Sequence, residues 1–223
     1  MASTPGVVVE LLTLPDDVAP RWRDWYDRTC LGPRAALDGV IAARRFTGLE
    51  GSVRELGLYD VADVNVAHAP AWRVLGEKNV TGADHALRGA HAAHLIRQLY
   101  RRISSSVEAY QPDAKAEILH GAFFEVAAVH QDEFNDWYDT EHIPAELGIP
   151  GYLNARRFHG IDDTQRFLAL YDVATLEAVD GPAGRQAYHS PWSDRVRAKL
   201  ALRRERRLFR LERCLPGRGA TIS

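Results

Sequence analysis

Short apolar runs alternate with segments whose apolar residues recur at helical spacing, and this alternation occurs twice along the chain. In the second half, Ala122 to Val129 is an apolar run containing Phe123, Phe124 and Val126, short enough for a strand buried on both faces. Gln131-Asp132-Glu133 then offers an N-cap and early acidic charge. Phe134, Trp137, Tyr138 and Glu141-His142 follow at helical spacing until Pro144, where the regular turn is expected to end. Gly151 opens Tyr152 to Phe158, Asp162-Asp163 makes a turn, and Arg166 to Val173 is rich in aromatic and aliphatic residues, which together predict a hairpin. Helices are predicted over 175–188 and 192–201 around breaks at Gly181-Pro182 and Ser190-Pro191, with a closing strand over Arg207 to Cys214. The predicted order is βαββαβ.

The first half predicts the same order. It has a strand over Val7 to Leu14, a helix from about Asp16 to Thr29, and strands near Val40 to Phe46 and Arg54 to Val61. A helical stripe of Leu87, Ala90, His94, Leu95, Leu99 and Ile103 follows, with a last strand near Ser105 to Tyr110. Gln111-Pro112-Asp113 is the expected boundary, giving units of 1–112 and 113–223. A tail from about Leu215, with Pro216, Gly217 and Gly219, has too little apolar content to fold alone and is expected to be mobile.

The two halves are copies of one unit. Asp24 to Ala62 reappears 112 residues later as Asp136 to Ala174 without a gap, including Asp-Trp-Tyr-Asp at 24 and 136, Ala-Arg-Arg-Phe at 43 and 155, and Leu-Tyr-Asp-Val-Ala at 58 and 170. A βαββαβ unit makes a four-stranded antiparallel sheet with both helices on one face, leaving the other face bare. Two bare faces in one chain predict an α+β fold in which two tandem ferredoxin-like units pack sheet to sheet as an eight-stranded barrel, a covalent pseudo-dimer open to further homo-oligomerisation. The alternative is two independent units on a linker, which the short connection disfavours by raising the effective concentration for docking.

With 28 basic and 30 acidic residues the chain carries no field to recruit nucleic acid or an anionic membrane. No stretch approaches the roughly 20 apolar residues needed to span a bilayer, so a soluble, cytoplasmic protein is expected. Cys30 and Cys214 lie far apart and are read as thiols.

Asp136-Trp-Tyr-Asp-Thr-Glu-His-Ile-Pro144, with Pro150-Gly151-Tyr152 and Ala155-Arg-Arg-Phe158 behind it, resembles the EthD-like branch of the dimeric α+β barrel superfamily. The likeness is strong from about Asp136 to Ala174 and weaker in the first unit, where the Glu-His-Ile-Pro portion is missing. It implies ferredoxin-like units paired into a barrel, with small-molecule pockets between the sheet and helices of a unit. That superfamily includes cofactor-free cyclases, isomerases, lyases and monooxygenases as well as haem-binding members, so the resemblance implies a fold more narrowly than a reaction. Its usual members hold one unit per chain, whereas this chain carries two.

The copies differ where chemistry is expected: Thr140-Glu141-His142-Ile143-Pro144 in the second stands against Arg28-Thr29-Cys30-Leu31-Gly32 in the first. His142 is the leading candidate, because imidazole exchanges protons near neutral pH without a cofactor. On a helix Tyr138 is four residues and Asp139 three residues before it, so the carboxylate is expected to hold the ring in one tautomer. The competing reading is a helix C-terminal cap favoured by the macrodipole. Glu141, Tyr152, Trp137, Phe124, Asn154, His159 and Tyr171 are candidates for substrate binding, Tyr138 or Tyr152 holding a carbonyl or phenol oxygen and Trp137 and Phe124 shaping the cavity. Asn154 and His159 are five apart on one strand and face opposite ways, so only one can line a given pocket. Arg156 and Arg157, matched by Arg44 and Arg45, read as inter-unit or surface salt bridges. Tyr188 to Trp192 reads as a packed turn.

His91 and His94 share a helical face, but no carboxylate or Cys at ligand spacing completes a zinc site, and a packed or solvated helix is expected. No motif marks an axial haem ligand, a phosphate loop or a nucleophile elbow. No metal and no cofactor are expected. These readings point to a cofactor-independent lyase, isomerase or cyclase acting on an apolar or aromatic oxygenated small molecule, with His142 as general base or acid. The alternatives are a cofactor-independent monooxygenase and a non-catalytic binding module.

Overall fold

The computed structural model describes residues 3–74, 82–187 and 189–218. The elements are β1 (Gly6–Leu12), α1 (Ala19–Tyr26), α2 (Gly32–Ala35), β2 (Val40–Gly48), β3 (Glu55–Val61), α3 (Pro70–Val74), α4 (His85–His94) and β4 (Ile96–Ser105), followed by β5 (Ile118–Val126), α5 (Gln131–Trp137), α6 (Ile143–Leu147), β6 (Tyr152–Gly160), β7 (Arg166–Val173), α7 (Leu176–Asp180), α8 (Pro182–Ala187), α9 (Pro191–Arg195) and β8 (Ala201–Pro216). π-helical turns cover Asp27–Leu31, Tyr138–His142 and Val196–Leu200.

The chain divides into two compact units, one of residues up to Arg101 with those from Leu211, the other Arg102–Arg210. Within the first, β1 pairs with β3 and β4, and β3 pairs with β2, all antiparallel. Within the second, β5 pairs with β7 and β8, and β7 with β6, again antiparallel. Each unit therefore has the ferredoxin-like strand order, and the eight strands run β1-β3-β2-β8-β5-β7-β6-β4 in one closed sheet. The repeat is kept in the ladder: Val8 faces Tyr59 and, 112 residues on, His120 faces Tyr171.

The core of the first unit gathers Trp22, Trp25, Tyr26, Leu31, Ala43, Tyr59 and Trp72 between helices and sheet. In the second, Phe124, Phe134, Trp137, Tyr138 and Phe167 make one aromatic cluster, with neighbouring ring centroids 4.7 to 6.0 Å apart. Apolar residues at period two on β5 and at helical spacing on α5 put these rings on facing surfaces.

The structure corrects several sequence expectations. The stripe expected as helix to Ile103 is helical only to His94; from Ile96 it is β4, because Ile96-Arg-Gln-Leu-Tyr-Arg-Arg-Ile completes a ladder with β1 that local periodicity cannot foresee. The second unit's first strand starts at Ile118, four residues before Ala122. Gln131 is the first residue of α5, not its cap; the N-cap is His130, which makes no side-chain capping bond. Pro144 does not stop the helix. It sits in the first turn of α6, where its missing N–H needs no partner. β8 begins at Ala201 and continues through Pro216, past the point where a loose tail was expected, and the Gly217 N–H donates to the Ile41 carbonyl. Arg156 and Arg157 are both buried and not at the surface: Arg156 lies 3.8 Å from Asp172, and Arg157 donates to Asp139 at 2.9 Å.

Candidate active site in the second unit

A cavity of about 430 Å³ lies in the second unit, lined by His120, Ala122 and Phe124 from β5, Trp137 and His142 from the helical layer, and groups from the last helix and β8. His120, Ala122 and Phe124 alternate along β5, so one strand face supplies three wall positions.

His142 ends the π turn, whose closing bond runs from the Ile143 N–H to the Tyr138 carbonyl. The wider turn brings residues five apart above one another. The His142 ring stacks on Trp137 with centroids 4.4 Å apart and an interplanar angle of 16°, and meets Tyr138 edge-on at 5.1 Å. The carboxylate beside it is that of Glu146, 3.7 Å from His142 Nε2 and fully buried. Burial, then Arg197 and Arg157, hold the His142 pKa down at about 3. The ring is therefore neutral at pH 7, and its approach to Glu146 is not an ion pair there.

Asp139 does not take the orienting role expected of it. Its carboxylate accepts from Arg157 Nη1 at 2.9 Å and from Ser104 Oγ at 3.1 Å. Arg157 in turn lies 4.4 Å from the centroid of the Tyr138 ring. Glu141 accepts from Ser190 Oγ and Ser193 Oγ, and Ser193 Oγ accepts from Trp137 Nε1 at 3.1 Å, so Glu141 ties α9 to the wall of the cavity without lining it.

His120 was not singled out from the sequence, because the strand was read as starting after it. Its Nδ1 lies 3.1 Å from the Tyr152 hydroxyl, and its ring stacks on Tyr171 at 5.2 Å. Burial first, then Arg206 and His142, hold its pKa at about 3. Tyr152 and Tyr171 thus back the cavity through His120. His189 also lines the cavity, while Tyr188 lies outside the described residues. Asp194, Arg197, Arg204, Glu205 and Arg206 complete the lining, and no pairing pattern in the sequence marks them.

Two candidates lie elsewhere. Asn154 Nδ2 donates at 3.1 Å to Asp172, which also accepts from the Tyr110 hydroxyl at 2.6 Å, on the sheet face opposite Tyr171. His159 donates its Nε2–H to the Thr164 carbonyl at 2.8 Å in the β6–β7 turn.

The equivalent place in the first unit is built from different charges. Glu10 corresponds to Ala122, Cys30 to His142 and Arg34 to Glu146. Glu10 accepts from Arg34 Nη1 at 3.0 Å, Arg97 at 2.6 and 2.8 Å, and the Tyr26 hydroxyl at 2.7 Å. Burial pushes the Glu10 pKa up, but Arg34 and Arg97 outweigh it and the carboxyl sits at about 2. Among the described residues no group of three or more His, Cys, Asp or Glu is arranged to hold a metal ion. Neither Cys30 nor Cys214 is joined in a disulfide.

No family model and no curated protein matches the chain. Solved structures do. A candidate monooxygenase from Fusobacterium nucleatum aligns with a TM-score of 0.67 at 7% identity over 97% of this chain and 96% of its own. An anthrone oxidase-like protein aligns at 0.65 and 13% over 98% and 96%, and a candidate monooxygenase from Lactobacillus acidophilus at 0.63 and 10% over 96% and 97%. The chain has the dimeric α+β barrel fold. As a dimeric α+β barrel with both ferredoxin-like units in one chain, it matches these neighbours over nearly their whole length, and at such identities the likeness concerns the fold alone. Among the described residues no helix is long and apolar enough to cross a membrane.

Proposed function

We infer that the second unit binds an aromatic, oxygen-bearing small molecule in the His142 cavity and takes a proton from it without a resident cofactor. The observation that carries this reading is the pair of buried imidazoles, His142 and His120, both neutral at pH 7 and both lining one cavity with aromatic walls. A neutral imidazole has a lone pair to accept a substrate proton. The substrate becomes an anion and the ring an imidazolium, with Glu146 beside it. Arg197, Arg204 and Arg206 in the lining offset the charge on the substrate. The depressed pKa makes the imidazolium a strong acid, suited to handing the proton back at another atom. That outcome is isomerisation; loss of a leaving group or ring closure from the same anion gives a lyase or cyclase.

A second reading has the anion consumed by dioxygen, and the monooxygenase and anthrone oxidase-like fold neighbours favour it. One oxygen atom converts a methylene carbon to a carbonyl, and the other leaves as water with the two methylene hydrogens.

Anthrone, whose ring methylene is acidic, serves as a probe of both. Exchange of its methylene protons for solvent deuterium without oxygen uptake supports the first reading. Stoichiometric oxygen uptake with formation of the quinone supports the second. If this probe and a panel of related phenolic ketones bind with neither event, the cavity only stores a ligand.

A further inference from the structure

The first unit holds its own cavity, of about 200 Å³, against the Glu10 network. Among the described residues its lining carries four guanidinium groups, from Arg34, Arg73, Arg88 and Arg97, and no carboxylate. Glu10 balances one of the two charges on Arg34 and Arg97, which leaves an excess of one positive charge at the buried end. Arg73 and Arg88 are exposed and have no ion-pair partner among the described residues.

Among the described residues, three buried donors of the lining have no acceptor: the indole Nε1 groups of Trp25 and Trp72, and Nε of Arg34. The parent residues are 1%, 1% and 3% exposed, so water does not replace the missing partners freely. Leaving such a donor unpaired inside the protein is unfavourable, and an acceptor placed there removes the penalty. His91 adds a fourth donor. Its Nδ1 accepts from Trp22 Nε1 at 3.4 Å, so the neutral ring carries its proton on Nε2. Burial above all keeps this ring neutral, with a pKa of about 4. A site with several donors, no carboxylate in its lining and an excess of positive charge selects an anion.

The remaining walls are the indole rings, Cys30, Ala92 and Leu95, which suit an apolar body and not a bare inorganic ion. The volume is below the roughly 300–1,000 Å³ of drug-sized pockets, which limits the ligand to about one ring. We propose that this cavity is a binding site for a small organic carboxylate with an aromatic or apolar body, its oxygens accepting from the Trp25, Trp72 and Arg34 donors. The site is independent of the chemistry inferred for the second unit.

The test is a titration of the whole protein, labelled with ¹⁵N at its five tryptophans and read by the indole N–H signals, each assigned by a single Trp→Phe variant. Benzoate is the probe, benzamide its uncharged counterpart and inorganic phosphate the bare anion. Benzoate is expected to shift the Trp25 and Trp72 signals saturably and to bind at least about tenfold more tightly than benzamide or phosphate. Trp72→Phe and Arg73→Gln are each expected to weaken benzoate about 3- to 10-fold, the exposed Arg73→Gln at unchanged melting temperature. The proposal is overturned by no saturable shift up to about 10 mM, by equal binding of benzamide or phosphate, or by a shift confined to Trp137, which would put the acid in the second unit.

Discussion

Trp137 and His142 stand five residues apart and stack face to face at 4.4 Å, while Asp139, three residues before His142, turns to Arg157. A regular α-helix brings together residues three and four apart. The π turn over Tyr138–His142 replaces that spacing, so the imidazole lies on an indole wall with Glu146 as its neighbouring carboxylate. π turns of this kind often mark functional sites.

His142→Ala is therefore expected to lower turnover by about 10²- to 10⁴-fold, the usual range for a positioned acid or base. Asp139→Asn should change it by less than about threefold, since Asp139 bonds to Arg157 and Ser104 and does not line the cavity. Kinetics with melting temperatures separate the two cases. Equal loss in both variants with the fold intact would return Asp139 to the reacting centre.

Tyr152→Phe removes only the hydroxyl 3.1 Å from His120 Nδ1. A stability loss of about 1 kcal/mol is expected by chemical denaturation, together with a fall in turnover of about tenfold if His120 orients the substrate. An unchanged rate would leave His120 a wall residue.

Acid should destabilise the protein well above the carboxylate range. His120 and His142 sit at about 3 and His91 at about 4, against 6.5 for a free imidazole. Each stays neutral in the fold while its unfolded counterpart takes up a proton below about pH 6.5, so stability is complete above that value and falls as the pH drops toward the folded pKa. Each site contributes a loss of about 2 kcal/mol between pH 7 and 5. Urea denaturation at the two pH values measures it, and His142→Phe should remove one share. The same shift leaves no limb near pH 6.5 in kcat/KM. A limb there would mean that His142 titrates normally and that the site is wet.

Gly57→Ala tests the first unit's network. A Cβ at this position would stand 2.0 Å from the Tyr26 hydroxyl, which reaches over the glycine to Glu10 and Tyr59. Expected destabilisation is about 1–3 kcal/mol by chemical denaturation. The second unit has Ala169 at the equivalent position and Ala122 in place of Glu10, so the reverse change, Ala169→Gly, should cost under about 1 kcal/mol.

The residues alone determined the architecture. An ungapped repeat with the same run of apolar strands and amphipathic helices leaves few ways to bury its sheets, so the tandem ferredoxin-like units were readable from local pattern, and the difference between the copies singled out His142. Tertiary structure decided the partners. The π turn is a choice of backbone hydrogen bonds made under packing, and it changes which side chains meet His142. His120 and Glu10 sit inside apolar strand runs, where period and burial are legible but the group across the ladder is not. Their partners Tyr152, Arg34 and Arg97 are 32, 24 and 87 residues distant. Ion pairs and buried hydrogen bonds form between groups that only the closed chain brings within about 3 Å, and no local spacing encodes that distance.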